Sequence, residues 1–320
     1  MAEREERGLF GPGHLPKHLP KVRPLTRIQR RLIETSAAIQ ADDPDTLLFQ
    51  HTVFCQTGMP YRDPGPEVRL WQRTQGAAYL EVQAGRLFQP QLGTAIEVGL
   101  PWGTKPRLIL AHVNAEALRQ GTNVIEIEDS LSAFVKRIRG FQHGREIRAF
   151  KEQLTRLANA LVRLAVSHGD RVHQINTQVI SAFDLWLQKD QRQRVLWPST
   201  IALSLEYYNS LQHHAVPLDE RSVAALAHSA VGLDVYAWLA QRLHRIDPAK
   251  PQFIAWVSLK EQFGPDYGRM DNFKAFFRRI LKAVLSQYTT ARIELDGRGM
   301  TAFNSPPPVA KRAVLLLPKI

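Results

Sequence analysis

The chain has 320 residues, 44% of them apolar and 22% charged, with 42 Lys and Arg against 30 Asp and Glu for a formal net charge of +12. This length admits two domains of ordinary size, and the composition excludes a wholly disordered chain. A single cysteine excludes an intrachain disulfide and a multi-cysteine zinc site, and no apolar run approaches the roughly 20 residues of a membrane helix, so a soluble cytoplasmic protein attracted to polyanions is expected.

Residues 1–26 carry Gly11-Pro12-Gly13-His14-Leu15-Pro16-Lys17 and read as a flexible basic arm, with too little apolar surface to offset the entropy of ordering. The charged start Glu3-Arg4-Glu5-Glu6-Arg7 lacks the apolar stretch of a signal peptide. From Ile28, the spacing of Leu32, Thr35 and Ile39 predicts a helix with Arg30 and Arg31 on its wet side. Residues 68–99 read as strands, because Leu80-Glu81-Val82-Gln83 and Ile96-Glu97-Val98 alternate between apolar and polar. Pro106 then sits where a helix can start, and Gly121 stops it.

From there one order of elements is expected twice. A strand at 124–127 leads to a short helix at 130–138 capped by Asp129 or Ser130, a second helix at about 145–160, and a hairpin turning at His168-Gly169-Asp170. After a polar stretch Gln188-Lys189-Asp190-Gln191-Arg192-Gln193-Arg194, a long helical region spans about 219–246, ended by Pro248 and Pro251. A strand at Phe253–Trp256, a short helix from Ser258, a helix from Asp271 to Tyr288 and a hairpin at Asp296-Gly297-Arg298-Gly299 complete the second copy, with Asp-Gly as a two-residue hairpin signal. Helix, helix and hairpin in this order outline a winged helix. At an offset of 127, Phe150, Leu154, Leu157 and Leu161 fall on Phe277, Leu281, Val284 and Tyr288. The expected fold class is α+β with tandem winged-helix domains. The arm at 1–26 precedes an N-terminal winged-helix domain with added strands at 27–187. A linker and bridging helix at 188–217, a C-terminal winged-helix domain at 218–308 and a tail at 309–320 follow.

Helix 271–288 is the strongest local signal. Phe273, Phe276, Phe277, Ile280, Leu281, Val284 and Leu285 recur at helical spacing, with Asp271 as the expected cap. The opposite face carries Asn272, Lys274, Arg278, Arg279 and Lys282 and no carboxylate beyond the cap. A merely solvated face mixes charge signs, so an all-basic one points to DNA, some residues reading bases and some holding phosphates. The first copy offers Arg145, Arg148, Lys151 and Arg156, mixed with Glu152; the hairpins add Arg171, His173 and Arg298 as phosphate or minor-groove contacts.

Catalytic signals are weak. The chain has no Gly-Lys dipeptide for a phosphate-cradling loop and no His-x-His pair for a rolling-circle nicking centre. Tyr207-Tyr208 reads as helix packing rather than a nicking nucleophile, and Glu126, Glu128 and Asp129 as outward residues and a cap rather than a Mg²⁺ site. His228-Ser229 with Asp234 lacks the context of a hydrolase. No enzymatic activity, metal or cofactor is expected.

Several phrases together resemble the plasmid-encoded RepA replication initiators of Gram-negative bacteria. They are Cys55-Gln56-Thr57-Gly58-Met59-Pro60-Tyr61-Arg62-Asp63-Pro64, Leu100-Pro101-Trp102-Gly103-Thr104-Lys105-Pro106-Arg107, Ala111-His112-Val113-Asn114-Ala115-Glu116-Ala117 and Ser130-Leu131-Ser132-Ala133-Phe134. Ser181-Ala182-Phe183-Asp184-Leu185-Trp186, Val216-Pro217-Leu218-Asp219-Glu220-Arg221, Ala237-Trp238-Leu239-Ala240-Gln241-Arg242-Leu243 and Lys260-Glu261-Gln262-Phe263-Gly264 complete the set, which spans roughly 53–308. The resemblance implies binding to direct repeats of double-stranded DNA at a plasmid origin, origin opening, and recruitment of the host replication initiator and replicative helicase. It also implies repression of the protein's own promoter and homodimerisation, and it carries no catalytic motif. A winged-helix transcriptional regulator, and an origin-associated primase or nicking enzyme, are the other readings of the same residues.

Overall fold

The structure, a computed structural model, describes residues 24–126, 128–139, 144–168, 170–183 and 200–310. The expected arm up to residue 23, the polar stretch 188–194 and the tail from residue 311 lie outside the described residues.

The first helix, α1 (Arg27–Ala41), opens on a capping box in which Thr26 and Gln29 bond each other's backbone. Its Arg30 is exposed, but Arg31 is not simply on a wet side: it donates to the Ile138 carbonyl at 2.7 Å, because α1 lies across other helices rather than on the surface of one domain. Strand β1 (Leu47–His51) is buried throughout and runs into α2 (Thr52–Thr57). His51 caps that helix, Nδ1 accepting from the Val53 N–H at 3.2 Å; the proton therefore sits on Nε2, 3.0 Å from Ser210 Oγ.

The strand-rich region resolves into β2 (Leu70–Gln75), β3 (Ala78–Gln83), β4 (Arg86–Gln89) and β5 (Thr94–Glu97). In β3, Leu80 and Val82 are buried as the alternation predicts, but Glu81 is buried too. Its carboxylate is satisfied by Tyr79 Oη at 2.7 Å, Gln72 Nε2 at 2.9 Å and Arg163, which removes the need for water.

The stretch expected as the first copy, with the helix before it, comprises α3 (Thr104–Gln120), β6 (Val124–Glu126), α4 (Glu128–Arg139), α5 (Gly144–Asn159), and the hairpin β7 (Leu161–His168) and β8 (Arg171–Gln178). Gly121 ends α3 in the left-handed region at φ 67° and ψ 26°. Asp129 and Ser130, expected as caps, fall inside the first turn of α4, which begins at Glu128. β9 (Ile180–Phe183) and β10 (Thr200–Leu203) follow. The hairpin joins β3 in an antiparallel sheet of order β2-β3-β7-β8, while β6 pairs instead with β10 in a sheet of order β6-β10-β9. β9 and β10 are antiparallel neighbours in that sheet.

The chain continues through α6 (Leu205–His214), β11 (Ala215–Asp219), α7 (Glu220–Leu226) and α8 (Ala230–Arg242). The single helix expected over 219–246 is broken at Ala227–Ser229, because Ser229 accepts from the Gly232 N–H and starts α8 afresh. The second unit then adds β12 (Gln252–Ala255), α9 (Trp256–Phe263), α10 (Met270–Gln287), β13 (Ile293–Leu295) and β14 (Gly299–Ala302), its sheet ordered β12-β14-β13.

The two units share one continuous core running from Leu47 to Val309. β1 pairs with β11 along its whole length, Leu47 opposite Asp219 and His51 opposite Ala215. Beside that pair, Arg107 of α3 meets Asp234 of α8 in a buried bidentate ion pair, Nε–Oδ1 at 2.6 Å and Nη2–Oδ2 at 2.7 Å. The remaining guanidinium protons go to the carbonyls of Gly103 at 2.6 Å, Met59 at 2.6 Å and Pro60 at 3.2 Å.

Candidate nucleic-acid interface

Helix α10 forms because its apolar residues fall on one stripe: Phe273, Phe277, Ile280, Leu281 and Val284 are all buried. Each fully buried large side chain contributes roughly 1.5–3 kcal/mol, and that sum fixes which face turns outward. The turn before it is locked by close approach. A Cβ on Gly264 would lie 2.4 Å from the Phe273 ring, and Tyr267 stacks on Phe276 with centroids 5.0 Å apart. Arg269, not Asp271, occupies the cap position; Asp271 is exposed in the first turn, where its charge still complements the helix dipole.

Asn272, Arg278, Arg279 and Lys282 are exposed, and Lys274 is half-buried. All five lie on the face away from the core, as a helical repeat of 3.6 requires. Trp256, expected as the end of a strand, organises this face. It starts α9 two residues earlier than expected, and its ring stands edge-on to Phe273 and Phe277 at 6.3 and 6.0 Å. Lys274 Nζ and the Arg278 guanidinium lie 5.6 and 5.3 Å from its centroid. Its indole N–H donates to the Asp296 carbonyl at 3.0 Å, and Lys274 Nζ donates to the Gly297 carbonyl at 3.2 Å. The hairpin is therefore tied to α9 through Trp256 and to α10 through Lys274. A large aromatic directly before a helix in which cations recur at four-residue spacing was the signal available in the sequence.

The hairpin is placed where Asp-Gly predicts, but by different chemistry. Gly297 does not take a positive φ. Three residues, 296–298, separate the strands, and Asp296 Oδ1 accepts from the backbone N–H groups of Arg298 at 2.8 Å and Gly299 at 2.7 Å. Those two bonds hold the exposed Asp296 carboxyl below its usual range. Gly299 is required for space, since a Cβ there would lie 2.2 Å from the Ile254 carbonyl oxygen. Arg298 is exposed, 5.7 Å above the Phe253 ring.

On α5, Arg145 and Arg148 are exposed and Lys151 is half-buried. Arg156 is engaged elsewhere: its guanidinium reaches the Leu100 carbonyl at 3.1 Å, Glu152 at 2.7 Å and Asp63 at 3.5 Å. Arg171 and His173 are exposed on β8. The structure thus gathers Asn272, Lys274, Arg278, Arg279, Lys282 and Arg298 on one unit, and Arg145, Arg148, Lys151 and Arg171 on the other. The offset of 127 holds for three buried pairs and fails at the fourth, where Leu161 is exposed at the start of β7 while Tyr288 is buried.

Other candidate residues are built into the fold. Tyr207 is buried and donates to Asn114 Oδ1 at 3.1 Å; Tyr208 is buried beside it. Burial pushes the Tyr207 phenol up. Ser229 is a helix cap, Asp234 pairs with Arg107, and His228 Nδ1 lies 3.0 Å from the Ala225 carbonyl. Glu126 is exposed at the end of β6. Among the described residues no cluster of three or more metal-ligating side chains occurs, and no helix is long and apolar enough to cross a membrane.

Compared with known proteins, residues 100–258 match the family described as plasmid encoded RepA protein. Among solved structures the chain is similar to domains 2 and 3 of RctB. One crystal structure of these domains, of a selenomethionine derivative, is 8% identical at a TM-score of 0.48, over 79% of this chain and 98% of that one. A second is 9% identical at a TM-score of 0.43, over 83% and 94%. No curated protein matches the chain.

Proposed function

We propose that this chain is a plasmid replication initiator, a reading supported by the match of residues 100–258 to the family described as plasmid encoded RepA protein. In this reading it is a tandem winged-helix protein with no catalytic activity of its own, binding repeated double-stranded sequences at the origin. The observation that carries the DNA-binding part is the basic face of α10 fastened to the β13–β14 hairpin through Trp256 and Lys274. A helix for the major groove and a hairpin for the neighbouring backbone, held as one body, suit duplex DNA. Arg145, Arg148, Lys151 and Arg171 serve as the second set of contacts. Bending of the bound repeat strains an adjacent A·T-rich segment until it opens, and host initiator and replicative helicase are then recruited.

The test is a mobility shift on DNA flanking the gene, with salt varied, followed by origin-activity and permanganate assays. A ladder competed only by the repeat, and reactive thymines beside it, are the expected results. Arg278→Ala and Lys282→Ala should each lower the slope of log affinity against log salt by about 1 if they hold phosphates. Uniform, steeply salt-dependent binding to any duplex would refute specific recognition, and binding without origin activity would leave a transcriptional regulator.

A further inference from the structure

In a chain with a net charge of +12, one cavity runs against the balance. It measures about 460 Å³ and lies between the last turns of α1 and α10, lined among others by Asp42, Asp43, Gln287, Tyr288 and Pro306. Both helices turn the negative ends of their dipoles to it, and neither carries a basic residue in its last turn. Asp42 and Asp43 are exposed at its mouth. Among the described residues Arg221 is the one Lys or Arg in the wall, and its donors are spent. They go to Asp219 at 2.8 and 3.1 Å and to the carbonyls of Ala38 and Asp42, both at 3.0 Å. An independent observation comes from Gln287, which is 1% exposed and reaches the same cavity. Its Nε2 donates to the Leu32 carbonyl and to Ser286 Oγ, both at 2.9 Å, which fixes the orientation of the amide. Its Oε1 accepts no hydrogen bond among the described residues. Buried polar atoms are nearly always paired, so this oxygen calls for a donor brought by whatever fills the cavity.

We propose that this cavity is a binding site for an arginine side chain, whose guanidinium bridges the carboxylates of Asp42 and Asp43 and the buried Oε1 of Gln287. A guanidinium presents its donors in a flat fork that serves several acceptors at once, and it sheds water more readily than an ammonium. The volume takes a whole side chain rather than one ion, since a water molecule's share of liquid volume is about 30 Å³. Seated there, the arginine ties the end of α1 to the end of α10. Two sources carry this chemistry. One is Arg312 of the chain itself, which follows by two residues an Ala310 that lines the cavity, a span of at most about 7 Å of backbone. The other is an arginine of another molecule. The inference does not depend on the DNA-binding reading.

The experiment titrates the intact chain and its Arg312→Gln variant with N-acetylarginine amide, following the side-chain amide signal of Gln287 by NMR in glutamine-labelled protein. The variant should bind the compound and shift that signal. Asp42→Asn and Asp43→Asn together, in the same background, should lower the affinity at least about 10-fold, with the far-UV spectrum unchanged. N-acetyllysine amide should bind at least about 10-fold more weakly than the arginine compound. If Arg312 fills the site, the intact chain should bind the arginine compound at least about 10-fold more weakly than the variant, because a tethered group competes at millimolar effective concentration. Equal affinities would assign the site to an arginine of another molecule. An unmoved Gln287 signal in both proteins would overturn the proposal. So would equal binding of the lysine compound, or undiminished affinity after the paired substitution.

Discussion

At the scale of single residues, Trp256 has the most to say about recognition. Trp256→Phe keeps a ring against Phe273 and Phe277 but removes the donor to Asp296. One hydrogen bond is worth about 0.5–1.5 kcal/mol of folding stability and the smaller ring gives up buried volume, so the melting temperature should fall by a few degrees, and DNA affinity should fall with it as the hairpin loses its fastening. If the loss arises through the hairpin, Arg298→Ala should cost nothing further in that background; full additivity would separate the two residues. The buried histidines govern a different property. Burial, with His214 adding to the effect, lowers His51 to about 3, and burial lowers His112 to about 4. The unfolded chain binds these protons near pH 6.5, whereas the folded chain resists them until those lower values. Stability is therefore fully present above pH 6.5 and is lost as pH falls from there, at about 1.4 kcal/mol per pH unit for each histidine. Melting followed from pH 7 to 5 should show this decline, and His112→Gln should flatten it; an unchanged slope would acquit His112.

At the scale of elements, α10 is the anchor of its unit. Phe277→Ala should cost about 3–5 kcal/mol in urea unfolding, since the ring is fully buried among Trp256, Phe263 and Phe273. Gly299→Ala should cost roughly 1–3 kcal/mol by forcing β14 off β12, seen as a lower midpoint at unchanged slope. Periodicity made α5 and α10 legible, because a helix with one buried stripe writes that stripe into its spacing. It could not show the break at Ser229, where apolar residues continue through α7 and α8 and only a cap intervenes. Nor could it show Glu81 or Arg31, whose partners Arg163 and Ile138 are distant in sequence. The site was legible as charge on a helix face. Its fastening was not, because Trp256 and Asp296 meet only once the hairpin is built.

At the scale of the whole molecule, the joint between the units dominates. Asp234→Asn leaves the Arg107 charge buried without its counter-ion and should cost about 3–5 kcal/mol, read by chemical denaturation. Two separate transitions in that experiment, one untouched by the substitution, would contradict a shared core. The pairing of β1 with β11 has a consequence in time. Residues 47–51 leave the ribosome long before residues 215–219 exist, and at about 5–20 residues per second the interval is on the order of ten seconds. Throughout it, the apolar segment Leu47-Leu48-Phe49 has no strand to lie against. Self-association of nascent chains is therefore favoured until synthesis passes Asp219, and crowded polysomes making this protein are where its aggregation would begin.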